Sequence, residues 1–142
     1  DQQRIGRIRL RCVPDASGES LQRAVAEAVE PGSTVRTDGW GGYNGVSALG
    51  YVHDVVRKSA DVGQNLLPLA NRVASLLKRW LLGTHQGAVR ASHLDYYLDE
   101  FTFRFNRRTS RSRGKLFYRL MQQAVAVAPV LGCQIKGGRS QT

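Results

Sequence analysis

The residues best placed for chemistry in this sequence are Asp38, Asn71 and Lys78. Asp38 follows a brief predicted strand, residues 34–37, and the Gly-rich stretch Gly39–Tyr43 comes after it. An Asp at the carboxyl end of a buried strand, beside glycines that allow a ligand to approach, is where α/β proteins usually carry their functional groups. The pattern also suits an Asp that only stabilises a turn. From this element alone, the turn role is the slightly stronger interpretation.

A helix from about Ala70 to Leu82 must position the other two candidates. Its apolar residues recur at helical spacing and form one stripe. At about 100° per residue, Asn71 and Lys78 fall on the opposite side of this helix, where Arg72 and Arg79 flank them. Any surface helix has such a polar face, so the spacing indicates only that Asn71 and Lys78 can act together.

The elements before this helix are predicted from their periodicity. Residues 4–14 alternate basic and apolar side chains, which predicts a strand with Ile8, Leu10 and Cys12 facing inward. Ser17 is placed to cap a helix that ends at Pro31-Gly32. Short strands are predicted at 34–37 and 51–56, and a loop at 57–69. A helix followed closely by a strand is typical of α/β proteins.

A basic cluster follows a further helix that begins around Ala91, and a last helix runs to Pro129. The members of the cluster are Arg104, Arg107, Arg108, Arg111, Arg113 and Lys115. A run of charges is usually a solvated face. The interleaved Asn, Thr and Ser residues favour a segment that grips phosphates.

Length and composition limit the class of protein. The chain has 142 residues, of which 42% are hydrophobic, so we expect one domain over residues 1–131 and a disordered tail over 132–142. The net charge of +10 favours a polyanionic partner. No apolar run approaches the roughly 18 residues of a membrane span, which predicts a cytoplasmic protein without a membrane partner. Cys12 and Cys133 fit no metal spacing and are expected to be free thiols.

Several blocks of the sequence resemble a known family. They are Val35-Arg36-Thr37-Asp38-Gly39-Trp40, Gly50-Tyr51-Val52-His53, Asn71 through Arg79, Gly83-Thr84-His85, and Tyr97 through Arg108. Together they are similar to the catalytic domain of bacterial insertion-sequence transposases of the ISXO2-like group. The resemblance covers nearly the whole chain. It implies an α/β fold of the RNase H-like type, with a mixed sheet, flanking helices, a C-terminal helical segment and the first strand missing.

The resemblance also implies roles for individual residues. Asp38 resembles the second metal-binding Asp, and Asn71 resembles the third metal-binding position. Lys78 resembles the basic residue that helps to hold the DNA end. The implied cofactor is Mg²⁺ or Mn²⁺, and the implied partner is double-stranded DNA, both transposon ends and target. Arg79, Arg104, Arg107, Arg108, Arg111 and Arg113 are then expected to contact the DNA backbone.

Two parts of the family pattern have no counterpart. The first Asp of the catalytic triad lies on a strand upstream of residue 4 in the family, and the amino-terminal zinc-binding region is also missing. We therefore expect a truncated transposase that has no or very weak activity by itself. The resemblance also implies a nucleoid-associated protein of a mobile element that works as a homo-oligomer.

Two other classes of function remain open. The chain could be a catalytically inactive DNA-binding remnant, with DNA affinity that depends steeply on salt but not on magnesium. An RNA-binding protein of ribosomal type is disfavoured, since stacking aromatic residues are not placed on exposed strands.

Overall fold

The computed structural model describes residues 4–56, 67–85, 89–129 and 131. Within these ranges it has four α-helices, three short 3₁₀ helices and two β-strands, so the α/β class is confirmed. The chain divides into two compact units, a central unit, Cys12–Arg79, and a terminal unit, Asp1–Arg11 with Trp80–Thr142. One domain over 1–131 stays a prediction, since a compact unit need not be a separate domain. The predicted tail lies outside the described residues.

Helix α1, Gly18–Ala28, begins the central unit, and its predicted cap is confirmed. The Ser17 hydroxyl accepts a hydrogen bond from the Ser20 backbone N–H at 3.3 Å. Asp15 accepts one from the Ser17 N–H at 2.9 Å. Hydrogen bonds from the Ser17 hydroxyl, the Ser17 amide and the Ser20 side chain lower the pKa of Asp15 below its ordinary value.

The two predicted short strands are confirmed as β1, Thr34–Thr37, and β2, Val52–Val55. They pair in parallel, with Thr34 opposite Val52 and Thr37 opposite Val55. An ion pair of 2.7 Å joins Arg36 to Asp54 across the strands. Among the described residues the sheet has only these two strands and is parallel, so the expected mixed sheet is not seen there.

Two 3₁₀ helices, Gly41–Tyr43 and Val46–Leu49, fill the connection between β1 and β2. Val46 is fully buried. The hydroxyl of Tyr51, at the start of the β2 segment, donates to the Val29 carbonyl at 3.0 Å. These contacts pack the connection and the end of α1 against the sheet.

Helix α2, Pro68–Thr84, confirms the predicted amphipathic helix. It begins two residues earlier than expected, because Pro has no N–H to leave unpaired in the first turn of a helix. Val73 is buried, and the other residues of the apolar stripe, Leu76, Leu77, Trp80 and Leu81, are half-buried. Most of the loop predicted before α2 lies outside the described residues.

The terminal unit contains α3, Leu94–Asn106, and α4, Arg113–Ala126. A 3₁₀ helix, Ala91–His93, precedes α3. Leu98, Phe101 and Phe105 are buried and form the packing side of α3. Many of the large apolar side chains of α4 are exposed. No helix in the described part of the chain is long and apolar enough to cross a membrane.

The strand predicted over residues 4–14 is wrong. The structure has no regular secondary structure between residues 4 and 13. Arg7, Arg9 and Arg11 are exposed while Ile8 and Leu10 are half-buried, so the alternation itself is present. Cys12 is exposed rather than inward-facing. The segment is not part of the sheet, since the Ile8 backbone pairs with a side-chain amide instead of a strand.

Candidate active site and basic groove

Asp38 directly follows β1, at the edge of the sheet where both parallel strands end. The preceding residue, Thr37, is only 5% exposed. Its hydroxyl forms a hydrogen bond of 2.9 Å with Nε2 of His53 on β2. Asp38 itself is exposed. The sheet therefore holds the residue before Asp38 firmly and presents Asp38 to solvent.

The backbone turns sharply after Asp38. Oδ1 of Asp38 accepts a hydrogen bond from the Trp40 N–H at 3.2 Å, so the turn-stabilising role considered from the sequence is present. In the described part of the chain this is the one hydrogen bond of the Asp38 carboxylate. Gly39 has a φ of +84°, and a Cβ there would lie 3.0 Å from Cγ1 of Val55. The turn thus requires glycine and leaves Oδ2 of Asp38 available to a ligand.

An open cavity of about 550 Å³ lies beside this turn. Asp38, Trp40 and Tyr43 line one part of it, and Leu67, which directly precedes α2, and Ala70 in the first turn of α2 line another. The first turn of α2, which also carries Asn71, therefore borders the same cavity as Asp38. Asn71 and Lys78 are not among the described residues that line it.

Asn71, Lys78 and Arg79 are all exposed on α2, on the polar side predicted from the helical spacing. Asn71 follows Ala70, which lines the cavity. Lys78 is seven residues further on, or about 10 Å along the helix axis at the usual rise per residue. The structure therefore brings the first turn of α2 to the Asp38 cavity, while Lys78 lies two turns beyond it.

The donors predicted from the sequence are of the type that magnesium prefers. Asp38 offers a carboxylate oxygen and Asn71 an amide oxygen, and Mg²⁺ takes such hard oxygen ligands while keeping several waters. The described residues contain no cluster of three or more His, Cys, Asp or Glu that could hold a metal. The residues present fit an ion held by one or two side chains, water and substrate phosphate.

The basic cluster predicted from the sequence separates into different environments. Arg104 forms an ion pair of 2.8 Å with Glu100. The guanidinium of Arg108 lies 4.1 Å from the centre of the Phe105 ring and donates to the backbone carbonyls of Ile5, Gly6 and Phe105. Arg111 is exposed, and α4 begins at Arg113. Arg104 and Arg108 are thus partly engaged in internal contacts.

Arg107 instead lines a cavity of about 550 Å³, which we term the basic groove. Its polar lining includes Arg7, Arg107, Thr109, Ser110, Lys115 and Arg119. Arg7 and Arg119 were not among the site residues predicted from sequence. Arg119 follows Lys115 by four residues, so helical spacing could have placed them on one face. No comparable signal in the sequence brings Arg7 to the groove.

A clamp made by Asn106 brings Arg7 to this position. The Asn106 Oδ1 accepts a hydrogen bond from the Ile8 N–H at 2.7 Å. Its Nδ2 donates to the Ile8 carbonyl at 2.9 Å. The side chain therefore satisfies both backbone groups of Ile8 in the way a neighbouring strand would. Arg7 is held beside the end of α3 as a result.

Comparison with known families gives a match over most of the chain. The model of the family described as "ISXO2-like transposase domain" matches residues 1–106 of this chain. Neither the curated proteins nor the solved structures contain a match. The matched range includes Asp38, Asn71 and Lys78, and it ends at Asn106.

Proposed function

Because the chain belongs to the ISXO2-like transposase family, we propose that it carries the metal-binding part of an active site for DNA strand cleavage and strand transfer. The observation that carries this proposal is the exposed Asp38 carboxylate at the carboxyl end of β1. One of its oxygens stabilises the turn, and the other remains available to a ligand. The parallel pair of β1 and β2 with helices is consistent with the RNase H-like fold, which forms part of this proposal.

Asp38 and Asn71 hold Mg²⁺ or Mn²⁺ in this proposal. When bound, such ions activate the attacking oxygen and stabilise the leaving oxygen of an in-line displacement at phosphorus. Asp38 supplies the negative charge at the site. Asn71 supplies only a neutral oxygen, which lowers the affinity for metal compared with a carboxylate at the same position.

The cationic side chains position the DNA. Lys78 and Arg79 are exposed on α2 and neutralise phosphates near the end of the DNA. The exposed basic residues around the end of α3 contact the phosphate backbone of the DNA. Such contacts position the duplex without reading its sequence. The net charge of +10 supports this assignment, because released counterions make a large contribution to such binding.

A strand-transfer assay tests the proposal. Purified protein is incubated with labelled duplex DNA and Mg²⁺ or Mn²⁺, and cleaved and joined products are separated by electrophoresis. We expect Asp38→Asn to abolish any metal-dependent product. Asp99→Asn is the matched control, because Asp99 is an equally exposed carboxylate on α3, and this variant should retain the wild-type level.

DNA-binding measurements on the same proteins distinguish a catalytic protein from one that only binds DNA. DNA affinity that falls steeply with salt, ignores magnesium and is the same in wild type and in Asp38→Asn would contradict the proposal that Asp38 holds a metal ion. That result would instead favour a DNA-binding protein without catalytic activity. Metal-dependent product that persists in Asp38→Asn would show that Asp38 is not a ligand.

A further inference from the structure

We propose that the basic groove is a binding site for phosphate groups of a DNA backbone, an inference that rests on the proposed function. Its volume of about 550 Å³ falls in the range of cavities that hold whole small molecules. More than one phosphate group can therefore enter it. The site is distinct in sequence from Asp38 and Asn71, since its residues lie on the segment before Ile8, the end of α3 and α4.

The charge of the groove is unbalanced. Arg7, Arg107, Lys115 and Arg119 line it, and no Asp or Glu among the described residues does. Four like charges around one cavity repel one another unless an anion enters. They also raise the local concentration of anionic ligands by focusing the electric field. By contrast, the charge of Arg104, on α3, is balanced by an ion pair with Glu100.

Contacts within the chain position the Arg107 guanidinium and the backbone next to Arg7 before any ligand binds. The Arg107 guanidinium lies 3.7 Å from the centre of the Phe103 ring and donates one hydrogen bond, of 3.4 Å, to the Phe103 carbonyl. Its remaining N–H groups have no partner in the described residues. Arg7 precedes Ile8, whose backbone is clamped by Asn106. Prior positioning of this kind lowers the entropic cost of binding.

The neutral part of the lining favours phosphates over bases. The Thr109 and Ser110 side chains supply hydroxyl groups, which can donate to phosphate oxygens. Within the described ranges no aromatic residue lines the groove, whereas sites for single-stranded RNA usually stack bases on aromatic rings. The groove therefore suits the sugar-phosphate backbone of duplex DNA and contacts it without regard to sequence.

The salt dependence of DNA binding tests the inference. The full chain is titrated against fluorescently labelled duplex DNA at several salt concentrations, and log K is plotted against log[salt]. Each lost phosphate contact reduces the slope by about 0.9. We therefore expect slopes smaller by about 1 in Arg119→Gln and by about 2 in Lys115→Gln/Arg119→Gln. The double variant should also bind roughly tenfold more weakly at moderate salt.

Two control variants make the comparison specific. Arg23→Gln removes one exposed helical arginine of α1, which is paired with Glu19 at 2.8 Å, and should leave the slope near that of wild type. Lys115→Arg/Arg119→Lys keeps both positive charges and should bind DNA with the slope and affinity of wild type. Circular dichroism checks the fold of each variant, and both groove residues are exposed on α4, so little loss of stability is expected.

Each outcome is informative. If wild type binds duplex DNA and the double variant has an unchanged slope, the groove inference is overturned while the proposed function stands. If wild type does not bind DNA, both are overturned. Matched titrations use single-stranded RNA and inorganic phosphate at constant ionic strength. A loss in the double variant that is confined to RNA, or to phosphate alone, would overturn the assignment to DNA.

Discussion

Oγ1 of Thr37 lies 2.9 Å from Nε2 of His53. This hydrogen bond ties the last residue of β1, which directly precedes Asp38, to the neighbouring strand β2. The same hydroxyl accepts a hydrogen bond from the Gly39 N–H at 3.3 Å. One buried side chain therefore fixes both the end of the strand and the start of the turn that presents Asp38.

Replacing Thr37 should loosen this strand end. Thr37→Val keeps the shape of the side chain but leaves the His53 ring nitrogen and the Gly39 N–H without their partner, which should cost about 1–3 kcal/mol of unfolding free energy. Urea denaturation measures the change. Thr34→Val makes the same replacement at an exposed position of β1 and should change stability by less than about 0.5 kcal/mol. Equal effects at both positions would show that the hydroxyl contacts are unimportant.

Adjacent glycines should respond differently to the same substitution. A Cβ at Gly42 would lie 2.7 Å from Cδ1 of Leu21 and 3.1 Å from the Ala16 carbonyl oxygen, whereas one at Gly41 would meet only an Asn44 atom at 4.0 Å. Gly42→Ala should therefore lose about 1–3 kcal/mol through overpacking. Gly41→Ala should be close to neutral. Thermal unfolding of both variants tests this, and a Gly42→Ala variant as stable as wild type would contradict the close packing.

A carboxylate at position 71 should bind metal more tightly. Asn71→Asp adds a negative charge to the proposed ligand pair, and affinity for divalent ions rises with ligand charge. We expect the Kd for Mn²⁺, measured by electron paramagnetic resonance, to fall about tenfold or more on this basis. Asn44→Asp adds the same charge at an exposed residue of the β1–β2 connection and serves as the control. An equal gain in both variants would indicate a general charge effect rather than a site.

The clamp between Asn106 and Ile8 should stabilise the terminal unit. Asn106→Ala removes two hydrogen bonds and leaves a partly buried N–H and carbonyl of Ile8 unpaired, which should cost about 2 kcal/mol. Hydrogen exchange at the Ile8 amide should accelerate. Asn44→Ala is the control, because its side chain is exposed. Unchanged exchange at Ile8 would show that the clamp does not persist in solution.

The pH dependence of α1 stability should follow Asp15. Hydrogen bonds from Ser17 and Ser20 lower the pKa of Asp15 below 3.8, so folding favours the charged carboxylate. This stabilisation is complete above the ordinary pKa and is lost as the pH falls through the lowered value. An NMR titration of the Asp15 carboxyl carbon should give a midpoint below 3.8. Ser17→Ala removes one of these hydrogen bonds and should raise the midpoint part of the way toward 3.8. A midpoint above 3.8 in wild type would contradict the assignment.

The helices and the short strands could be predicted because their signals are local. Apolar residues at helical spacing located α2, and the Ser17 cap located the start of α1. The prediction for residues 4–14 failed because alternation shows only that side chains point to opposite sides. The partner of Ile8 is the side chain of Asn106, 98 residues away, and no local pattern contains that information.

The candidate sites were predictable to different degrees. Asp38 and Asn71 could be proposed as site residues because they lie in short family motifs. The basic groove required the fold, since it combines Arg7 with residues from α3 and α4. Composition also could not distinguish Arg107, which lines the groove, from Arg108, which donates to the carbonyls of the amino-terminal segment.

The two tryptophans occupy contrasting environments. Trp40 lies beside Asp38 in the central unit and is 58% exposed. Trp80 is half-buried in the terminal unit, with its ring centre 5.5 Å from that of Phe101 and 4.7 Å from that of His85. Iodide should therefore quench Trp40 fluorescence strongly and Trp80 fluorescence weakly. In a Trp80→Phe variant, the remaining emission would be an intrinsic optical reporter of events at the Asp38 turn.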